Sequence, residues 1–180
     1  FITRARPDRV VQRGDDLDCH GISRYDRLPG HAGLLAEAEQ GKVRLDELRT
    51  VYQKRLVFLE GNHEQRLERY IVRNAPAILE AAGAVGLTIP GLLDFTRFDV
   101  EWVPWGKAAT TGSVWVEHGD CALGKSGYTA NRMLDRRSAQ QGVSAHTHRL
   151  GHVFRTVQGT TREWVEAGCL CRREALDFYV

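Results

Sequence analysis

The sequence predicts an α/β fold built in layers, with two β-sheets packed together and helices outside, and three observations carry that prediction. Short apolar runs alternate with amphipathic stretches early in the chain, strand-like runs cluster late, and no apolar run approaches the length of a membrane span. The 180 residues, 1–180, are read as a single domain, long enough to close one core and free of repeats or low-complexity linkers.

Each element has a local reason. Val10 and Val11 run into the Gly-Asp corner of RGDDLD, as the end of a strand does. After LPG, the residues Leu34, Leu35, Ala38, Leu45, Leu48 and Tyr52 recur at spacings of three, four or seven, which predicts an amphipathic helix with Gly41 as its weak point. Residues 55–60, RLVFLE, form an apolar run stopped by Gly61, and Leu67, Tyr70 and Ile71 restore helical spacing from Glu64 to about Arg73. The Gly- and Pro-rich stretch from Gly83 to Leu93 has no readable period, and Gly83 to Lys107 is a candidate cap. DVEWVPWG and SVWVEHGD alternate as half-buried strands do. Residues 127–141 read as a helix, and Val143–Ala145, Val153–Val157 and Glu163–Ala167 as three closing strands.

Composition narrows the partners only a little. A formal charge of +2 and a pI of about 8.4 point neither to a nucleic-acid nor to an acidic partner. Four lysines stand against 21 arginines, whose planar forks suit phosphate, but they are scattered rather than gathered on the basic face that nucleic acid demands. Cys19, Cys121, Cys169 and Cys171 form no C-x-x-C pair and read as reduced thiols of a cytoplasmic protein, the last two as strand residues. There is no signal-peptide apolar stretch, and Met133 is the one methionine, so the sequence opens at Phe1 without an initiator.

Polar residues of metal-ligand or proton-transfer type stand just past the strand ends: Asp15 and Asp18 in GDDLD, Asn62 and His63 in GNHE, His118 in EHGD, and His146 and His148 in AHTH. In open α/β folds the carboxyl ends of strands form the rim where ligands bind, so residues distant in sequence can converge there. In order and type these corners resemble the calcineurin-like metallophosphoesterases, whose pattern runs D-x-H, G-D-x-x-D, G-N-H-[DE], a lone His before Gly, and G-H-x-H. The last four corners are matched, and GDDLDCHGISRYD, GNHEQRLERY and AHTHR are similar to small enzymes of this type from bacteriophage genomes.

The resemblance runs from about residue 7 to the C-terminus and implies a four-layer α/β/β/α sandwich of two mixed β-sheets flanked by helices. It implies metal-dependent hydrolysis of phosphomonoesters or phosphodiesters by a dinuclear centre with a metal-bound hydroxide as nucleophile. Two divalent ions about 3.5–4 Å apart clamp a phosphate and stabilise both attacking and leaving oxygens. Asp15 would bridge the ions, a carboxylate having two oxygens; Asn62, His118 and His146 would complete the second ion's shell, and His148 would serve the first. Residues two apart in an extended segment point the same way, so His146 and His148 are expected on one side, about 7 Å apart. His63 would stabilise the transition state or protonate the leaving oxygen, and Asp18 would orient it by fixing its tautomer. Mixed oxygen and nitrogen ligands suit manganese, iron, zinc or nickel. The substrate would be a phosphate ester, with Arg24 a candidate contact for it and Arg66 a second, although surface ion pairing is the plainer reading of both.

Two departures stand out. Ala145 replaces the usual Gly, a small-for-small change that matters only if the position needs positive φ. The first motif is absent, and the chain reads as beginning after it, lacking its first strand; Asp18-Cys19-His20 spells D-x-H but overlaps GDDLD. A weakened or empty first metal site is therefore expected. Two other classes remain open: a metal-binding module of the same fold with impaired catalysis, and a P-loop protein, since Gly119–Ser126 spells G-x-x-x-x-G-K-[ST]. Too few residues follow Ser126 for the parallel strands of a nucleotide-binding core, so that match reads as a coincidence. His20 is read as lining the cleft, His31 as opening a helix, His152 as lying beyond the motif, and Asp16 and Asp120 as solvated.

Overall fold

The apolar runs become parallel strands in the computed structural model, which describes residues 2–25, 30 and 32–170. After a short helix α1 (Ile2–Ala5), the RVVQ run forms β1 (Arg9–Gln12), and RLVFL forms β2 (Arg55–Leu59). Between them lies α2 (Leu34–Val51), and α3 (Gln65–Asn74), α4 (Leu79–Ala84) and α5 (Ile89–Leu92) lead on to β3 (Val100–Val103). These three strands pair in the order β1-β2-β3, with Val10 opposite Leu56 and Leu56 opposite Val100. The sheet was expected to be mixed; its described strands are all parallel, because every connection passes through a helix and so returns the chain in the same direction. As the central strand β2 buries Leu56, Val57, Phe58 and Leu59, each side chain contributing about 1.5–3 kcal/mol.

The first core gathers Leu45 from α2, Leu56 and Phe58 from β2, Leu67 and Ile71 from α3, and Leu93, Phe95 and Phe98. The unreadable stretch from Gly83 onward is thus, in part, core. Phe58 stacks on Trp102 at 5.7 Å between ring centroids and meets Phe95 at 5.2 Å. The buried stripe of α2 is Ala38, Gly41 and Leu45, leaving Leu35 exposed. Gly41 is a packing contact rather than a weak point, since a Cβ there would come within 2.5 Å of the Leu93 side chain.

The chain divides into two compact units between Ala109 and Thr110. Beyond the boundary strand β4 (Ala109–Thr111) come β5 (Val114–Glu117), α6 (Tyr128–Arg136), β6 (Gln141–Ser144), β7 (Leu150–Val157) and β8 (Thr160–Ala167). The second sheet has the order β4-β5-β6-β8-β7, with β5, β6 and β8 parallel and β7 antiparallel to β8. Gln158 and Gly159, at φ of 50° and 80°, close the β7–β8 hairpin in two residues, the backbone sign that a type I′ turn requires. Helix α6 packs Ala130, Met133 and Leu134 against Trp164, whose indole N–H donates to the Ser144 hydroxyl at 3.0 Å. It stops at Arg136, short of the expected 141, because Arg137 adopts an extended backbone and its guanidinium reaches back to the Glu117 carboxylate at 2.8 and 3.0 Å.

Both units are mixed α/β and together hold two sheets and six α-helices among the described residues. None of the described helices is long and apolar enough to cross a membrane.

Candidate functional site

In the first unit, β1 and β2 are parallel neighbours, so the GDDLD and GNHE corners leave the same edge of the sheet. The two corners interlock at their glycines. Gly14, at φ +78°, passes so close that a Cβ would lie 2.4 Å from the Gly61 nitrogen, and a Cβ on Gly61 would lie 2.2 Å from the Asp15 carboxylate. Glu64, fully buried, joins them. Its Oε2 accepts the N–H groups of Asp15 at 2.8 Å and Gly61 at 3.0 Å, and its Oε1 those of Asp16 at 2.8 Å and Leu17 at 3.1 Å. Loss of hydration and the nearby Asp15 charge push its carboxyl up to about 7, against backbone donors that pull it down.

Asp15 is held in the left-handed region at φ +57°, uncommon for a residue with a Cβ, and its carboxylate accepts the His63 N–H at 3.2 Å. His63 Nδ1 lies 3.1 Å from Asp18 Oδ1. Arg66 donates to the same oxygen at 3.0 Å and to the Asp18 carbonyl at 2.7 Å. The Asp18 carboxyl is lowered to about 2, chiefly by the hydrogen bond from His63, with the charges of His63, Arg66 and His20 adding to it against partial burial. With Nδ1 committed to Asp18, Nε2 is the nitrogen that His63 offers elsewhere.

In the second unit, His118 follows β5 while His146 and His148 follow β6, its parallel neighbour, so these corners again share one sheet edge. The Ala145 N–H donates to the His118 carbonyl at 2.9 Å and carries the pairing one step past the strands. His118 is buried, and its ring meets that of His146 edge-on, at 5.3 Å between centroids and 63° between planes. Each ring offers a nitrogen within 4.8 Å of the other's, so a small ring rotation would bring both to one ion at the usual metal–nitrogen distance of about 2.1 Å. Carboxylate and amide oxygens in the first unit and imidazole nitrogens in the second are donors that first-row divalent metals accept, and in type the residues present fit such ions.

The segment carrying His146 and His148 is not extended, contrary to expectation. Both residues have positive φ, 64° and 56°, and the Thr147 N–H donates to the Ala145 carbonyl at 2.7 Å, closing a three-residue turn around His146. The two rings are therefore placed by a tight turn, not by the two-residue period of a strand. Ala145 itself is not among the positive-φ residues, so the methyl group in place of the usual Gly meets no backbone strain.

Of the other candidates, Arg24 is exposed, lies over the Tyr25 ring at 5.3 Å and donates to its hydroxyl at 3.3 Å. Arg66, weighed as a phosphate contact, is committed to Asp18. Asp16 and Asp120, read as solvated, are ion-paired instead: Asp16 with Arg44 at 2.8 Å and Asp120 with Arg136 at 2.8 Å, where long guanidinium arms from α2 and α6 reach them. His20 opens a single 3-10 turn, and His152 sits within β7 with Nε2 2.9 Å from Glu163. Cys169 follows β8 rather than lying in it; His31 and Cys171 lie outside the described residues. In the P-loop-like stretch the helix begins only at Tyr128, and the Gly127 N–H at its start donates to the buried Glu166 at 2.6 Å. A phosphate approaching that N–H would meet a carboxylate.

The sequence reading assigned no part to Glu64, Thr147 or Glu166. Glu64 stands within GNHE and was within reach of sequence reasoning; Glu166 carries no local signal at all.

No family model matches the chain. It is 32% identical over 160 residues to the Gene 54 protein of Mycobacterium phage D29 and 32% identical over 161 residues to the Gene 54 protein of Mycobacterium phage L5, each alignment covering 84% of this chain. The chain spans 61% of the length of these relatives, and neither name states an activity.

Proposed function

We propose that the protein is a metal-dependent phosphoesterase, hydrolysing phosphomonoesters or phosphodiesters at a dinuclear centre whose ligands are Asp15, Asn62, His118, His146 and His148. In this reading the two sheets belong to a four-layer α/β/β/α sandwich, the metals are drawn from manganese, iron, zinc and nickel, and the protein works in the cytoplasm. The single observation that supports it most is the Asp18–His63 pair set directly beside Asp15, with 3.1 Å between carboxylate and imidazole. A lone histidine near a carboxylate is common; one set where two corners are pinned together, by one backbone donor from its own loop and three from the Asp15–Leu17 corner, on a buried glutamate is suited to act as a preorganised acid.

The ions, when bound, would supply Lewis acidity toward the phosphate and lower the pKa of water. The remaining work falls to side chains. Asp18 holds the His63 Nδ1 proton, Arg66 holds Asp18, and His63 then has Nε2 from which to give a proton to the departing oxygen. The main-chain N–H of His63 orients the Asp15 carboxylate.

Hydrolysis of bis(p-nitrophenyl) phosphate and p-nitrophenyl phosphate with and without Mn²⁺ tests the proposal. The expected result is Mn²⁺-dependent release of nitrophenolate that falls about 10²–10⁴-fold in His63→Ala. Folded protein that takes up Mn²⁺ but turns over neither ester would instead be a binding module.

A further inference from the structure

Glu166 has no part in the chemistry above, yet it is one of the most deeply buried ionisable side chains in the molecule. It lies on β8, with its Oε1 accepting the Thr147 hydroxyl at 2.9 Å and its Oε2 accepting the Gly127 N–H at 2.6 Å. Thr147 stands between His146 and His148, and its hydroxyl oxygen also takes the Arg149 N–H at 3.4 Å. One carboxylate therefore joins the histidine turn to the residue that starts α6. Room for this bridge comes from Gly151, which pairs with Glu166 across the β7–β8 ladder. A Cβ at Gly151 would lie 2.5 Å from the Gly127 nitrogen and 2.8 Å from Glu166 Oε2.

We infer that Glu166 is a positioning residue that, through the Thr147 hydroxyl, sets the His146–His148 turn in the form that receives a divalent metal ion. The turn needs such help. Two of its residues, His146 and His148, sit at positive φ, a conformation that costs free energy and persists only where surrounding contacts enforce it. The backbone closes the turn around His146, the Thr147 N–H donating to the Ala145 carbonyl at 2.7 Å, and the Gly168 N–H donates to the Arg149 carbonyl at 2.9 Å. Between these two backbone bonds the Thr147 side chain and its buried carboxylate tie the turn to β8. Partners that orient a metal ligand from behind typically change metal affinity about 10–100-fold when removed.

The inference rests on the metal-centre reading, and isothermal titration of the EDTA-stripped full chain with Mn²⁺ separates the two. Thr147→Val keeps the shape of the side chain and removes the hydroxyl; it is expected to weaken Mn²⁺ binding by at least about ten-fold. Glu166→Gln is expected to bind within about three-fold of the parent, because an amide oxygen can accept the Gly127 N–H while its NH₂ donates to the Thr147 oxygen. Parental affinity in Thr147→Val, or a lower melting temperature in EDTA with unchanged Mn²⁺ affinity, would overturn the inference and leave the metal centre standing. A folded parent protein that takes up no Mn²⁺ would overturn the metal-centre reading itself, and the positioning role with it.

Discussion

Each unit hangs its histidine- or carboxylate-bearing loops on one buried glutamate, but the two glutamates do so differently. Glu64 gathers four N–H groups, two on each oxygen, and all four belong to the main chain. Glu166 gathers one main-chain N–H and one side-chain hydroxyl, the latter from a residue 19 positions earlier. The first arrangement resembles an anion in a backbone nest, indifferent to most side chains around it. The second reaches the turn through one threonine side chain. A loop tied through its backbone tolerates sequence change, whereas one tied through a side chain is set by that side chain.

The same substitution at both glutamates separates the two clasps. Glu64→Gln leaves one acceptor oxygen for four donors and aims amide hydrogens at two of them, stranding buried N–H groups at about 1–3 kcal/mol each. A loss of about 3 kcal/mol in the EDTA-treated protein, read from urea midpoints, is the expected result. Glu166→Gln keeps both of its contacts and should lose less than about 1 kcal/mol. Equal losses would show that the two clasps do not differ as described.

A smaller effect is expected in the first unit. The Asp18 carboxyl is lowered from 3.8 to about 2, so its ionised form belongs to the native state. Its contribution to stability is therefore complete above about pH 4 and is lost as the pH falls through about 2. Asp18→Asn removes that dependence, and the stability gap between parent and variant should close between pH 4 and pH 2 in metal-free protein. Because the side chain is half-exposed, solvent screens the pair and the gap should be modest. A gap that stays constant over this range would mean that the His63 contact does not depress the carboxyl.

How much of this was legible follows from the range over which each feature is decided. The strand at 55–59 and the helix after Glu64 were readable because apolar period and a stopping glycine lie within a few residues of each other. The segment Gly83–Leu93 was not, since α4 and α5 are only six and four residues long and their stability comes from burying residues such as Ile89 in a non-local core. One local signal there went unused: Thr88 caps α5 by accepting the Gly91 N–H, with Pro90 in the first turn. The end of α6 was misjudged because an ion pair from Arg137 to Glu117, 20 residues away, decides it. At the candidate site, Asp18 beside His63 is the pairing expected from the motifs. Backbone shape at the His146–His148 turn was not legible, because Glu166, the partner of its Thr147, lies on β8, 19 residues away.

The proposed metal centre requires Asp15, His118 and His146 to be ligands of one divalent ion. Anomalous diffraction at the manganese edge, from crystals grown with Mn²⁺, measures it directly. The expected result is a manganese peak bonded to an Asp15 carboxylate oxygen and to ring nitrogens of His118 and His146. A map with no peak at these side chains, or with its manganese held elsewhere, would contradict it.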